Sequence, residues 1–142
     1  MKDIHVEGIV LAGENMISFG NFAVKDKLKV NDFNLGDDTY SLRTYTEATK
    51  LEKNDQLALE TVPGTAVHKF YKKNKDYLEF TIYGSASTII TLGLEPNALY
   101  RIKTGKDSTG MESSASGKVK FSVDLSSGKP VEVSVERLEK AE

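Results

Sequence analysis

The chain has 142 residues, enough for one domain with its own core and without disulfides or a structural metal. Hydrophobic residues make up 39% and charged residues 28%, the balance of a folded globular protein; 19 basic and 21 acidic side chains leave a formal charge of −2, without the basic field that nucleic-acid or anionic-membrane binding needs. Cysteine is absent, which excludes disulfides, zinc thiolate sites, iron–sulfur clusters and thiol nucleophiles.

Residues 1–8 lack the basic and apolar regions of a signal peptide, and nowhere do about 18 apolar residues run together as a membrane span requires, so membrane insertion is not expected. From there on, the hydrophobic pattern repeats every two residues, the mark of strands with one buried face. Ile4, Val6, Gly8 and Val10 line one side of the opening segment against His5 and Glu7. Short strands are then predicted over Asn15–Phe19, Phe22–Val30, Thr39–Thr46, Gln56–Val62, Ala66–Tyr71, Leu78–Tyr83, Thr88–Leu94 and Leu99–Thr104, separated by Gly, Asn, Asp, Ser or Pro. Helix is limited to two short turns, Thr46–Lys53 and Val135–Ala141, and Gly105–Gly117 reads as a flexible loop. Near the end, Val119, Phe121 and Val123 alternate with polar residues, as do Val131, Val133 and Val135. With Ser126–Pro130 as the turn between them, these two strands are expected to pair as a hairpin. Residues 1–142 therefore read as one all-β domain with little helix, an antiparallel β-sandwich of immunoglobulin-like or jelly-roll type.

Candidate chemistry is sparse. The two histidines, His5 and His68, lack metal-binding spacing and read as surface residues, and no serine-hydrolase or phosphate-loop motif occurs. An enzyme working through a carboxylate pair is the lowest-ranked reading, since nothing singles out two of the acids. Asn31–Asp38 concentrates oxygen ligands of the kind calcium takes, with Asp32, Asn34, Asp37 and Asp38 as the ligand set, although it is not an EF-hand: Gly36 and Arg43 stand where acids are required. An ordinary Asx-rich turn is the alternative, and no other cofactor is implied. Tyr40, Tyr45, Tyr71, Tyr77 and Tyr83 fall beside polar residues, and an exposed tyrosine can stack on a sugar ring while Asn, Lys, Arg or Glu bind its hydroxyls. Tyr40, Arg43, Tyr45 and Tyr71 are the ligand-binding candidates.

One local motif suggests a family. Leu94-Glu95-Pro96-Asn97-Ala98-Leu99-Tyr100 resembles the tyrosine corner of fibronectin type III and immunoglobulin-like sandwiches, where a leucine plugs the floor, a proline fixes the crossing between sheets and a buried tyrosine bonds back to the backbone. With the Gly/Ser-rich stretch and paired strands that follow, the chain is similar to β-sandwich modules of secreted bacterial carbohydrate-active enzymes. That resemblance implies a non-catalytic accessory module, secreted or at the cell surface, that binds polysaccharide. The alternative is a structural or adhesive domain whose partner is a protein surface. A shallow polar groove floored by tyrosine would favour sugar; an apolar patch of several hundred Å² would favour protein. The sequence leaves the oligomeric state open.

Overall fold

A computed structural model describes residues 9–13, 16–74 and 76–138. Ile4–Gly8, His5 among them, and Asn15 lie outside the described residues, as does the end of the Val135–Ala141 segment. Thirteen strands form: β1 Ile9–Gly13, β2 Met16–Phe19, β3 Leu28–Leu35, β4 Asp38–Tyr45, β5 Ala48–Lys53, β6 Gln56–Val62 and β7 Ala66–Asn74, then β8 Tyr77–Tyr83, β9 Thr88–Gly93, β10 Leu99–Thr104, β11 Asp107–Glu112, β12 Lys118–Val123 and β13 Val131–Arg137. They make two antiparallel sheets, one of seven strands in the order β1-β2-β7-β8-β13-β10-β11 and one of six in the order β12-β9-β6-β5-β4-β3. The molecule is a β-sandwich, and no helix occurs among the described residues.

Alternation sets the faces. In β8, Leu78, Phe80 and Ile82 point into the core, which leaves Tyr77, Glu79, Thr81 and Tyr83 on the outer face. Leu42, Leu51, Leu59, Ile90 and Leu92 answer from the six-stranded sheet, and Phe19, Phe70 and Phe80 stack edge-to-face or tilted with ring centroids 5.7–5.8 Å apart. At one end the core is polar. Asn21 N donates to Thr44 Oγ1 and Thr49 Oγ1 donates to the Thr65 carbonyl, so the 2.8 Å contact between the two threonine hydroxyls is a bond from Thr44 to Thr49. Thr61 and Thr65 share a further bond at 2.9 Å. This network ties the 20–24 and 63–66 connections to the six-stranded sheet.

Several expectations are overturned. The last two strands do not pair with each other: β12 joins β9 in the six-stranded sheet, whereas β13 inserts between β8 and β10 in the seven-stranded one. Both alternate because both face the same core, from opposite sides. The connection between them carries the fully buried Leu125 across the sandwich. Thr46–Lys53 is no helical turn; Thr46–Glu47 is the two-residue link to β5, which pairs with β4 and β6. Within Gly105–Gly117, residues 107–112 form β11, paired along its whole length with β10. Phe22–Val30 starts with turns, and its strand begins only at Leu28. At the front, Ile9 is buried and Val10 is half exposed, the opposite of the expected phase.

The proposed calcium loop is the tip of a hairpin. Asn31–Leu35 belong to β3, Asp38 opens β4, and only Gly36–Asp37 turn between them, with Gly36 at φ +62° as a two-residue Gly-X turn requires.

The corner at Leu94–Tyr100 has the anticipated geometry. The chain passes there from β9 in one sheet to β10 in the other, Tyr100 is fully buried, and its hydroxyl oxygen accepts a 3.1 Å bond from Glu95 N. Ser113 braces the corner from β11's end, accepting from Ala98 N at 2.9 Å and donating to the Glu95 carbonyl at 2.6 Å.

Candidate functional site: a groove on the seven-stranded sheet

Outward residues of β2, β7, β8, β13 and β10 line up across the strands. The register pairs Met16 with Tyr71, Tyr71 with Glu79, Glu79 with Ser134, and Ser134 with Lys103. At about 4.8 Å per strand this row is roughly 19 Å long. Tyr77, Thr81, Glu132 and Lys69 flank it, and together they enclose an open groove of about 470 Å³. Tyr71 and Tyr77 line it together with charged side chains of both signs, Lys69 and Lys103 against Glu79 and Glu132.

Tyr71 faces this groove because of one extra residue. His68 pairs with Thr81 and Tyr71 with Glu79, so β7 spends three steps where β8 spends two. The bulge sits at Lys69, whose φ of +56° is left-handed and whose N–H is taken by Ser18 Oγ at 3.1 Å. Without it, Phe70 would point outward and Tyr71 inward. With it, Phe70 is buried against Phe19 and Phe80, and Tyr71 is partly exposed on the outer face.

Tyr77 is the second aromatic. Burial raises its phenol above the ordinary range, and the Glu79 carboxylate, by its charge and a hydrogen bond, raises it further, as does Glu136 more weakly; Ser134 works the other way. The phenol therefore stays protonated and donating toward Glu79 through neutral and mildly alkaline pH. His68 and Tyr83 extend the same face, with ring centroids 4.6 Å apart.

The candidates named from sequence do not converge. Tyr71 lies in the groove. Tyr40 is on the inner face of β4, only 7% exposed, and its phenol is raised by burial and then by the charge of Asp38. It closes one end of the core beside a smaller cavity of about 230 Å³ that Lys72, Phe70 and Leu94 also line. Arg43 and Tyr45 sit on the outer face of the six-stranded sheet, on the far side of the sandwich from Tyr71. Glu79, Ser134 and Lys103 are not among the residues singled out from sequence, and Tyr77 is named there only as one of five tyrosines beside polar residues, although the alternation of β8, β10 and β13 already puts all four on one phase.

The calcium candidates are partly engaged with their own chain. Asp38 Oδ1 accepts from Asn54 Nδ2 at 3.0 Å and its Oδ2 lies 3.5 Å from Lys53 Nζ; Asn34 Oδ1 accepts from Thr39 Oγ1 at 3.0 Å. Asp32 occupies a bulge with φ +58°, and Asp37 is in the turn. Among the described residues no group of three His, Cys, Asp or Glu side chains is placed to hold a metal.

No family model, no curated protein and no solved structure matches the chain. Among the described residues no helix is long and apolar enough to cross a membrane.

Proposed function

We propose that the protein is a non-catalytic carbohydrate-binding module of an extracellular bacterial protein, and that it holds a neutral stretch of polysaccharide in the groove of the seven-stranded sheet. One observation carries this reading: two tyrosines share an open trough with hydrogen-bonding side chains of both charge signs and a few apolar residues. Sugar rings present CH groups to an aromatic face and hydroxyls at their rim. Tyr71 and Tyr77 supply the faces; Glu79, Ser134, Lys103 and Glu132 supply acceptors and donors for the rim. A row roughly 19 Å long takes several sugar rings end to end.

The test is affinity electrophoresis over plant, algal and host polysaccharides, with calcium and with chelator. Retention on one neutral polymer should fall about five- to thirty-fold in Tyr71→Ala and in Tyr77→Ala, each truncation removing a stacking contact worth about 1–2 kcal/mol. Both side chains are on the outer face, so the variants should melt close to the parent. Equal retention of parent and variants would remove the groove from consideration. Reducing ends released during incubation, and lost in Glu79→Gln or Glu132→Gln, would replace binding with catalysis.

A further inference from the structure

The opposite face of the sandwich carries a different pattern. Across the six-stranded sheet the register places Lys29 beside Arg43, Arg43 beside Lys50, Lys50 beside Glu60, Glu60 beside Thr91 and Thr91 beside Lys120. Four cations and one acid thus form a single outward row, on a chain whose formal charge is −2. Like charges directly opposite one another in a sheet are destabilising. Here Lys29, Arg43 and Lys50 are adjacent on three neighbouring strands, and none of them forms an ion pair with another described residue. Glu60, although opposite Lys50, makes no ion pair with it either. Charges on a sheet's edge guard against unwanted pairing, which accounts for Lys29 on the edge strand β3. It does not account for Arg43 and Lys50 on interior strands.

Beside this row, on the same face, runs an apolar one. Tyr45 pairs with Ala48, and Val62 pairs with Ile89; Val62 and Ile89 are each about half exposed. Lys27 Nζ lies 5.4 Å from the Tyr45 ring centroid and adds a further cation at the row's end.

We propose that this face is a second binding surface, for an acidic polysaccharide laid across the strands. Lys29, Arg43 and Lys50 repeat at about 4.8 Å, the strand spacing, which suits an extended polymer with one carboxylate or sulfate per sugar ring; Lys120 adds a fourth cation three strands further on, past Glu60 and Thr91. Duplex DNA carries one charge per roughly 1.7 Å and would leave most of its phosphates unanswered. The neighbouring apolar row receives the CH faces of the rings while their acidic groups meet the cations. A membrane surface is disfavoured by shape and charge: Val62 and Ile89 are short side chains on a flat sheet, and a molecule of net −2 is repelled by an extended anionic plane, whereas a single polymer chain meets only the row. Uronate and sulfate polymers offer the same chemistry here, and the experiment separates them.

Affinity electrophoresis in gels containing polygalacturonate or dextran sulfate, at low and at physiological salt, tests this directly. The parent should be retained by at least one of them, less so as salt rises. Lys29→Gln/Arg43→Gln/Lys50→Gln should weaken retention roughly ten-fold, since each exposed ion pair contributes only a fraction of a kcal/mol. The same triple variant should melt no lower than the parent, and higher if the three cations repel, so loss of fold cannot mimic loss of binding. It should also keep any retention on neutral polymer, whereas Tyr71→Ala should keep retention on the acidic one; failure of either surface is thus read separately. No retention of the parent on either acidic polymer, or equal retention of parent and triple variant, would overturn the proposal. Tighter capture on duplex DNA or on phosphatidylserine vesicles than on both polymers would overturn it in favour of that partner.

Discussion

Gly93 shows how little room some positions leave. A Cβ built there would fall inside the carbonyl of Leu57, in the neighbouring strand of the same sheet, so β6 and β9 can approach as they do only because residue 93 has no side chain. Gly93→Ala should cost about 2 kcal/mol or more, read as a lower urea midpoint with an unchanged slope. Nothing in the sequence distinguishes this glycine from those that merely turn the chain. The period-two pattern tells which residues of β8 face outward, so half of the groove is legible in the residues alone. It cannot tell that Tyr71 belongs with them, because a single inserted residue at Lys69 reverses the phase of Phe70 and Tyr71 and has no compositional mark. Tyr40 misleads for the same reason in reverse: its polar neighbours suggest exposure, while its own parity with Leu42 and Thr44 puts it inside.

Elements were legible as strands and illegible as partners. Period-two patterning reports that a strand has a buried side, and the two halves of a sandwich bury theirs against one common core. β12 and β13 accordingly look like a hairpin on paper although they belong to different sheets. The Leu94–Tyr100 corner was readable because its chemistry is local: a proline, a crossing and a tyrosine that reaches back to Glu95. Tyr100→Phe keeps the ring and deletes the acceptor for Glu95 N. Its expected cost is about 1 kcal/mol, measurable by chemical denaturation, with no effect on polysaccharide retention. The threonine network at the sandwich end was not anticipated, since Thr44, Thr49 and Thr61 occupy inward positions where aliphatic residues are the ordinary choice.

For the whole molecule, acid stability depends in part on Asp38. Its carboxylate is held below the ordinary aspartate range by the Asn54 amide, with burial opposing, and then by Lys53. A depressed folded-state value means that this contribution is complete above the unfolded value near ~3.9 and is lost as pH falls through the lower folded one. Melting temperature should therefore hold from neutrality to about pH 4 and drop below it, and Asp38→Asn should flatten that drop. The effect is small because Asp38 and Lys53 both stand partly in solvent. The groove and the cationic row lie on opposite faces of the sandwich, so the two proposed surfaces do not overlap.

The position of β13 has a consequence for synthesis. It comes last among the described strands, yet it lies in the middle of its sheet, with β8 on one side and β10 on the other. Until residues 131–137 leave the ribosome, the strands β1-β2-β7-β8 and β10-β11 lack the one that joins them, and β8 and β10 have no partner on the sides where β13 goes. Glu132 and Ser134, which complete the groove, arrive on the same strand. Neither the seven-stranded sheet nor the groove on its outer face is complete before β13 is in place, and both are completed by the same strand.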